Sequence, residues 1–321
     1  MLKMLDPSPS FPNTPQFQVS DLLDHFQTLQ NASASGFTRV ADRPEIREQC
    51  QSLLSQLETF SQLLVVGVGG SSLGAQAMDQ WLCLRKKKSL FFLDNLDPWQ
   101  FSTLLQEIEP RWSQTAFLFV SKSGGSLETL ATLDLLVQKY GSDLIGRSFV
   151  ISENQPNPLR SWAEKQGRPS IDFPEDIGGR FSVLSQSGLV PAGFLGLQVT
   201  EALRGARDAL QAGKEIAALA QLVLQSWQQG KLITQFWLYS SQMKAFGAWL
   251  EQLWSESLGK SLNLDGGPAA HASTPMLCIG SSHQHSLLQQ LVEGQKDKLV
   301  ILIRVKAIEE SGETIRTSEF E

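Results

Sequence analysis

The stretch Leu63-Leu64-Val65-Val66-Gly67-Val68-Gly69-Gly70-Ser71-Ser72 decides how this chain is read. Leu63 to Val68 is an apolar run without alternation, as expected of a strand buried on both faces. Two glycines and two serines stop the run, and a helical pattern follows over Leu73 to Leu84. Strand and helix go on alternating downstream. Short apolar strands are predicted at Ser89 to Leu93, Ala116 to Val120 and Gly146 to Ile151, with helices at Trp99 to Ile108 and Ser126 to Tyr140 between them. Strand and helix alternating with short polar turns indicate a mostly parallel sheet covered by helices.

Outward from this unit the pattern changes. Residues 1 to about 40 read as a lead-in: Pro7, Pro9, Pro12 and Pro15 keep its first part extended, and Val19 to Gln30 fits a short helix started by Ser20 or Asp21. A helix is predicted over Arg43 to Gln62, with Pro44 in its first turn. Glu153 to Asp176 reads as connecting structure with some short helix or strand. Helical patterns dominate from Phe194 to Leu258, the longest running from Lys231 to Leu258 and carrying Phe236, Trp237, Tyr239, Phe246, Trp249, Leu250 and Trp254. Strands at Met276 to Ile279 and Leu299 to Val305 flank a helix at His285 to Leu291, and Glu309 to Glu321 reads as a polar, frayed end. At roughly 150 residues per domain, the 321 residues suggest two domains, placed at 41–192 and 193–321.

The composition is that of a globular protein, 41% hydrophobic and 19% charged, which excludes global disorder. Twenty-seven basic against thirty-three acidic residues leave a formal charge of −6, so neither nucleic acid nor an anionic membrane is an expected partner. The basic run Arg85 to Lys88 reads as a solvated helix end. Cys50, Cys83 and Cys278 form no C-x-x-C pair, so neither a disulfide framework nor a zinc site is indicated, and a reducing compartment is expected. No apolar stretch approaches the ~20 residues of a membrane span, and Met1 to Pro7 has no secretory core. The expectation is a soluble cytoplasmic protein.

Five segments carry residues suited to chemistry. A strand, Gly69-Gly70-Ser71-Ser72 and a helix make an anion site: glycine admits a ligand to the backbone, and the free N–H groups of the helix start favour phosphate. A tight turn capped by serine would look the same. No Gly-Lys-Ser/Thr follows, and the third glycine of the dinucleotide fingerprint is missing. Ser121-Lys122-Ser123-Gly124-Gly125-Ser126-Leu127-Glu128-Thr129 adds three hydroxyls and a lysine where a strand meets a helix. An N-cap explains Ser126 but not Lys122. In Gly178-Gly179-Arg180-Phe181-Ser182-Val183, the arginine can reach an oxyanion or make a surface ion pair. Glu256, amid Trp254 and Leu258, suits a base with a raised pKa, or an exposed charge paired with Lys260. His283-Gln284-His285 lacks the partners of a metal site; an acid/base histidine at a helix start is the better reading, with a capping or hydrogen-bonded role for one of the two.

Together these segments resemble the phosphoglucose isomerase family. The match runs in family order from Gly67-Val68-Gly69-Gly70-Ser71-Ser72-Leu73-Gly74 through the Ser121 and Gly178 segments to Glu256-Ser257-Leu258-Gly259-Lys260. It ends at Gln284-His285 with Glu293-Gly294 and Asp297-Lys298. The resemblance implies two SIS-type α/β/α domains with mostly parallel sheets and an active site between them. It implies interconversion of glucose 6-phosphate and fructose 6-phosphate, a glycolytic and gluconeogenic step, with no metal and no organic cofactor. Ser71, Ser121, Lys122, Ser123 and Ser126 would hold the phosphate, against backbone at Gly69, Gly70 and Gly179. Glu256 would shuttle the proton between C1 and C2, and Arg180 would stabilise the enediolate. His285 would help open the ring from the partner subunit of a homodimer. The commoner phosphate loop has Phe-Thr-Thr where this chain has Gly124-Gly125-Ser126, a form familiar among bacterial members. The family's C-terminal helix, with a Gln-x-Gly-Val-Glu-x-x-Lys motif, has no match up to Glu321. The chain is therefore expected to be a short or C-terminally truncated form. Its alternative is a catalytically impaired or non-catalytic sugar-phosphate-binding protein.

Overall fold

A computed structural model describes residues 18–32, 35–81, 88–263 and 265–305. The proline-rich start, Cys83, Arg85 to Lys87 and Glu309 to Glu321 lie outside the described residues. In chain order the elements are α1 (Val19–Asn31), α2 (Pro44–Gln56), β1 (Gln62–Val66), α3 (Leu73–Trp81), β2 (Ser89–Leu93), α4 (Pro98–Ile108), β3 (Thr115–Val120), α5 (Leu127–Ile145), β4 (Ser148–Ser152), α6 (Pro158–Lys165) and β5 (Ser170–Asp172). A 3-10 segment, Gly179–Leu184, leads to α7 (Gln186–Phe194), α8 (Val199–Ala209), α9 (Gly213–Gln228), β6 (Ile233–Tyr239), α10 (Lys244–Leu258), β7 (Thr274–Ile279), α11 (Gln284–Glu293) and β8 (Lys298–Arg304).

The first sheet has the order β2-β1-β3-β4-β5 and the second β7-β6-β8, with every strand pairing parallel. This is the mixed α/β fold with parallel sheets that the sequence indicates. Alternate residues of the central strands serve opposite faces, so an unbroken apolar run is what such a strand requires. Leu63, Val65, Leu118 and Val120 pack with Ile46, Cys50, Leu53 and Leu189, in a core that continues to Phe194, Val199 and Leu203. Leu64, Val66, Phe117 and Phe119 pack with Leu105, Ile108, Leu133 and Leu136 on the other side. The first sheet is thereby enclosed between two helical layers. Burial pushes the Cys50 thiol up to about 12, and burial beside Glu251 pushes Cys278 up to about 11. Both are free and buried.

The clearest departure from the sequence reading is at Lys231 to Leu258, which is not one helix. Ile233–Tyr239 is the central strand of the second sheet, and α10 starts only at Lys244. Phe236, Trp237 and Tyr239 therefore belong to a strand, and Phe246, Trp249, Leu250 and Trp254 to a helix. A short apolar run does not reveal its period, and its length and β-branched start are the better guides. The helix predicted to Gln62 also ends earlier, at Gln56, because Gln62 opens β1 and its side-chain oxygen accepts a hydrogen bond from Thr115 at 2.9 Å. Helix α5 runs past Tyr140 through a kink at Gly141, where φ is +56°. Pro158–Lys165 and Ser170–Asp172 are the short helix and strand expected within the connecting stretch Glu153 to Asp176.

Helix α10 is the joint between the two sheets. It packs on α3 of the first unit and on β7 of the second. Trp81 and Phe246 meet across that joint with ring centres 4.9 Å apart. Among the described residues no helix is long and apolar enough to cross a membrane.

Candidate active site

Strands β1 and β3 are neighbours and run parallel, so the turns that follow them open on the same edge of the sheet. After β1 the chain passes through Gly69 at φ +55°. A Cβ there would stand 2.8 Å from Nε2 of Gln252, and one on Gly70 would lie 2.3 Å from the backbone of Gly179. Two backbone segments, at Gly70 and Gly179, thus approach more closely than a side chain allows, and the Gln252 side chain closes on Gly69, at the place where the sequence anticipates a ligand.

The resulting cleft has a volume of about 420 Å³. Val68, Gly69, Gly70, Ser71, Lys122, Ser123, Ser126, Glu153, Gly179, Arg180, Gln252 and Glu256 line it. Two hollows of about 580 and 740 Å³ lie elsewhere, beside α8 and α9. Size alone does not single out the smaller cleft; its chemistry does. In the hollow of 580 Å³, Arg207 and Arg204 already face Asp42 and Glu201 at 3.0 and 2.5 Å.

Most residues singled out in the sequence meet in the cleft. Glu256, in the last turn of α10, has a half-exposed side chain and accepts a hydrogen bond from Nε2 of Gln252 at 2.8 Å. Its other oxygen is 3.8 Å from Arg180. The aromatic residues of α10 do not enclose this carboxylate: Trp254 turns instead into the second core, against Trp227 and Phe236. Among the described residues the ion pair of Glu256 is with Arg180, not with Lys260. Arg180 also donates from Nε to Ser257 Oγ at 2.8 Å, and its guanidinium lies over the Phe181 ring at 4.5 Å. Ser182 ties this segment to the first turn by donating to Gly70 O at 2.9 Å.

Two residues stand differently from the expectation. Ser121 is fully buried behind the cleft, and its hydroxyl meets that of Ser126 at 2.9 Å. Lys122 lines the cleft, but its ammonium donates to the carbonyls of Glu175 and Ile177 at 2.9 and 2.8 Å and sits 3.5 Å from Glu153. His285 is exposed on α11 and does not line this cleft; the resemblance assigns it to the cleft of a partner subunit. Gln252 and Glu153 were not anticipated. The only signal for Gln252 was its place four residues before Glu256, on the same helix face. Glu153 directly follows β4, and strand ends on this edge of a parallel sheet are where ligands bind.

A sequence model of the family described as phosphoglucose isomerase matches residues 46–316. This chain belongs to the phosphoglucose isomerase family. The glucose-6-phosphate isomerase of Carboxydothermus hydrogenoformans is 32% identical over 286 residues, covering 82% of this chain and 61% of that one. The probable glucose-6-phosphate isomerase of Natronomonas pharaonis is 36% identical over 252 residues, covering 75% of this chain and 55% of that one. The solved structure of a glucose-6-phosphate isomerase from Chlamydia trachomatis matches with a TM-score of 0.69 at 26% identity, covering 88% of this chain and 63% of that one. A hypothetical protein from Thermus thermophilus matches with a TM-score of 0.77 at 26% identity, covering 96% of this chain and 79% of that one. The chain spans about six-tenths of the length of the curated phosphoglucose isomerase relatives it matches.

Proposed function

We propose that this cleft interconverts glucose 6-phosphate and fructose 6-phosphate through an enediolate. The observation that carries the reading is the Glu256 carboxylate 3.8 Å from the Arg180 guanidinium, in a cleft floored by two glycine-serine turns. A phosphate dianion calls for many donors and little bulk. Hydroxyls of Ser71, Ser123 and Ser126 supply them with the backbone of Gly69, Gly70 and Gly179, Ser121 fixing Ser126 from behind. Lys122 adds positive charge from the wall.

In the open-chain aldose, the carboxylate of Glu256 takes the proton from C2. The C–H electrons form the C1–C2 double bond, and the C1 carbonyl becomes the enediolate oxygen. Arg180 stabilises that charge where it develops. The hydroxyl proton moves from O2 to O1, Glu256 returns its proton to C1, and the ketose results. Every atom is retained within the sugar. The ring-opening step is assigned to the partner subunit's His285 in a homodimer, since His285 lies outside the cleft of its own chain.

The test is a coupled assay of fructose 6-phosphate to glucose 6-phosphate conversion by the 321-residue chain. Glu256→Gln should lower turnover by roughly 10²- to 10⁴-fold while sugar phosphate still binds. No turnover by the parent chain, with sugar phosphate bound, would replace the isomerase reading with a binding one.

A further inference from the structure

We infer that Lys122 is a positioning residue for Arg180 and that its ammonium does not contact the phosphate. The inference rests on the isomerase reading of the cleft and deepens it. A lysine ammonium has three protons to donate. Two of them are directed at Glu175 O and Ile177 O, and the remaining side of the group faces Glu153 at 3.5 Å. The Phe173 ring, 5.9 Å away, flanks it. To reach a phosphate on Ser123 or Ser126, the ammonium would give up both carbonyls and the Glu153 carboxylate; water can replace it at the exposed Glu175, but the carbonyl of the buried Ile177 would lose its donor.

The two carbonyls belong to the segment that leads directly into Gly178, Gly179 and Arg180. That segment is held from both sides. Asp176 turns away from Lys122 and pairs with Arg43 at 2.6 Å and Arg39 at 3.5 Å, while the carbonyls on either side of it in sequence turn toward Lys122. Lys122 itself follows β3 and begins the turn that carries Ser123 and Ser126. One side chain therefore ties the turn that receives the phosphate to the segment that presents the guanidinium. Its replacement should disturb the stabilisation of the enediolate more than the capture of phosphate.

The experiment compares the parent with Lys122→Met, which keeps length and loses both charge and donors. Four readouts are taken: titration with inorganic phosphate, amide hydrogen exchange over residues 175–181, kcat and KM for fructose 6-phosphate, and the cycle with Arg180→Ala. The expected result is a phosphate affinity within about threefold of the parent and exchange over 177–181 faster by about tenfold or more. With it, kcat should be lower by about tenfold or more at nearly constant KM. The double variant should be no slower than Arg180→Ala alone, because both changes remove the same interaction. Tenfold weaker phosphate binding with unchanged exchange would make Lys122 a direct ligand. Unchanged exchange alone overturns the inference, as does a double variant whose losses multiply. If Lys122→Met does not fold, Lys122→Gln, which keeps an N–H donor without the charge, is read in the same way. A parent chain without turnover would remove the isomerase reading, and exchange with phosphate titration would still decide the placement of Lys122.

Discussion

One neighbour on its own helix holds the Glu256 carboxylate. Gln252 donates to it at 2.8 Å, and the same amide fills the space that a side chain on Gly69 would need. Gln252→Leu keeps the volume and the helix but removes the donor. A hydrogen bond to a charged group contributes about 1.5–3 kcal/mol, so kcat/KM should fall roughly 10- to 100-fold, with circular dichroism unchanged. Steady-state kinetics within twofold of the parent would show that Arg180 alone orients the base. The contrast with the serines explains what was legible at this scale. Ser71, Ser123, Ser126 and the glycines beside them announce themselves because phosphate needs hydroxyls and bare backbone at a strand-to-helix turn. Gln252 and Glu153 are residue types found all over protein surfaces, and only the fold brings them to the cleft. Ser121 shows the reverse: its type and place suit a ligand, yet burial leaves it to support Ser126.

At the scale of elements, the first sheet was legible because its strands are continuous apolar runs ended by glycine and serine. The second was not, because its central strand lies inside a longer aromatic stretch. Helical and strand periods cannot be separated in seven residues such as Ile233–Tyr239, and what makes them a strand is pairing with β7 and β8, which are distant in sequence. A buried polar knot shows how these elements are fastened. The Ser273 hydroxyl meets Nε1 of Trp227 at 3.0 Å and the Thr234 hydroxyl at 2.6 Å, and its carbonyl accepts from Nε1 of Trp254 at 2.9 Å. One serine thereby joins α9, β6 and α10. Ser273→Ala keeps the carbonyl contact but leaves the Trp227 and Thr234 groups, both buried, without their partner. At about 1–3 kcal/mol for each unsatisfied buried group, the loss should be roughly 2–6 kcal/mol in urea unfolding followed by tryptophan fluorescence. A change below about 0.5 kcal/mol would mean that the two groups find other acceptors.

For the whole molecule, the cleft belongs to neither sheet alone. Its floor comes from the turns after β1 and β3, one wall from the Gly179 segment, and the carboxylate from α10, which packs on both units. Sequence could place each contributor on its element, but not the joint: Trp81 against Phe246, and Arg180 reaching Ser257, connect positions far apart in the chain. A ligand that touches all three contributors must be released before they separate, so it stabilises the folded chain by mass action. Fructose 6-phosphate at 100 times its dissociation constant should add about 2.7 kcal/mol to the unfolding free energy. The gain should follow the logarithm of ligand concentration. Fructose without the phosphate should give almost none, because the serine turns would have nothing to hold. Ser123→Ala with Ser126→Ala should remove most of the gain, whereas Glu256→Gln should keep it, since in the proposed mechanism the carboxylate acts on the carbon proton and not on the phosphate. A gain that survives in the double serine variant would locate the sugar phosphate outside this cleft. A gain lost with Glu256→Gln would mean that the carboxylate holds the sugar in the ground state as well as in the transition state.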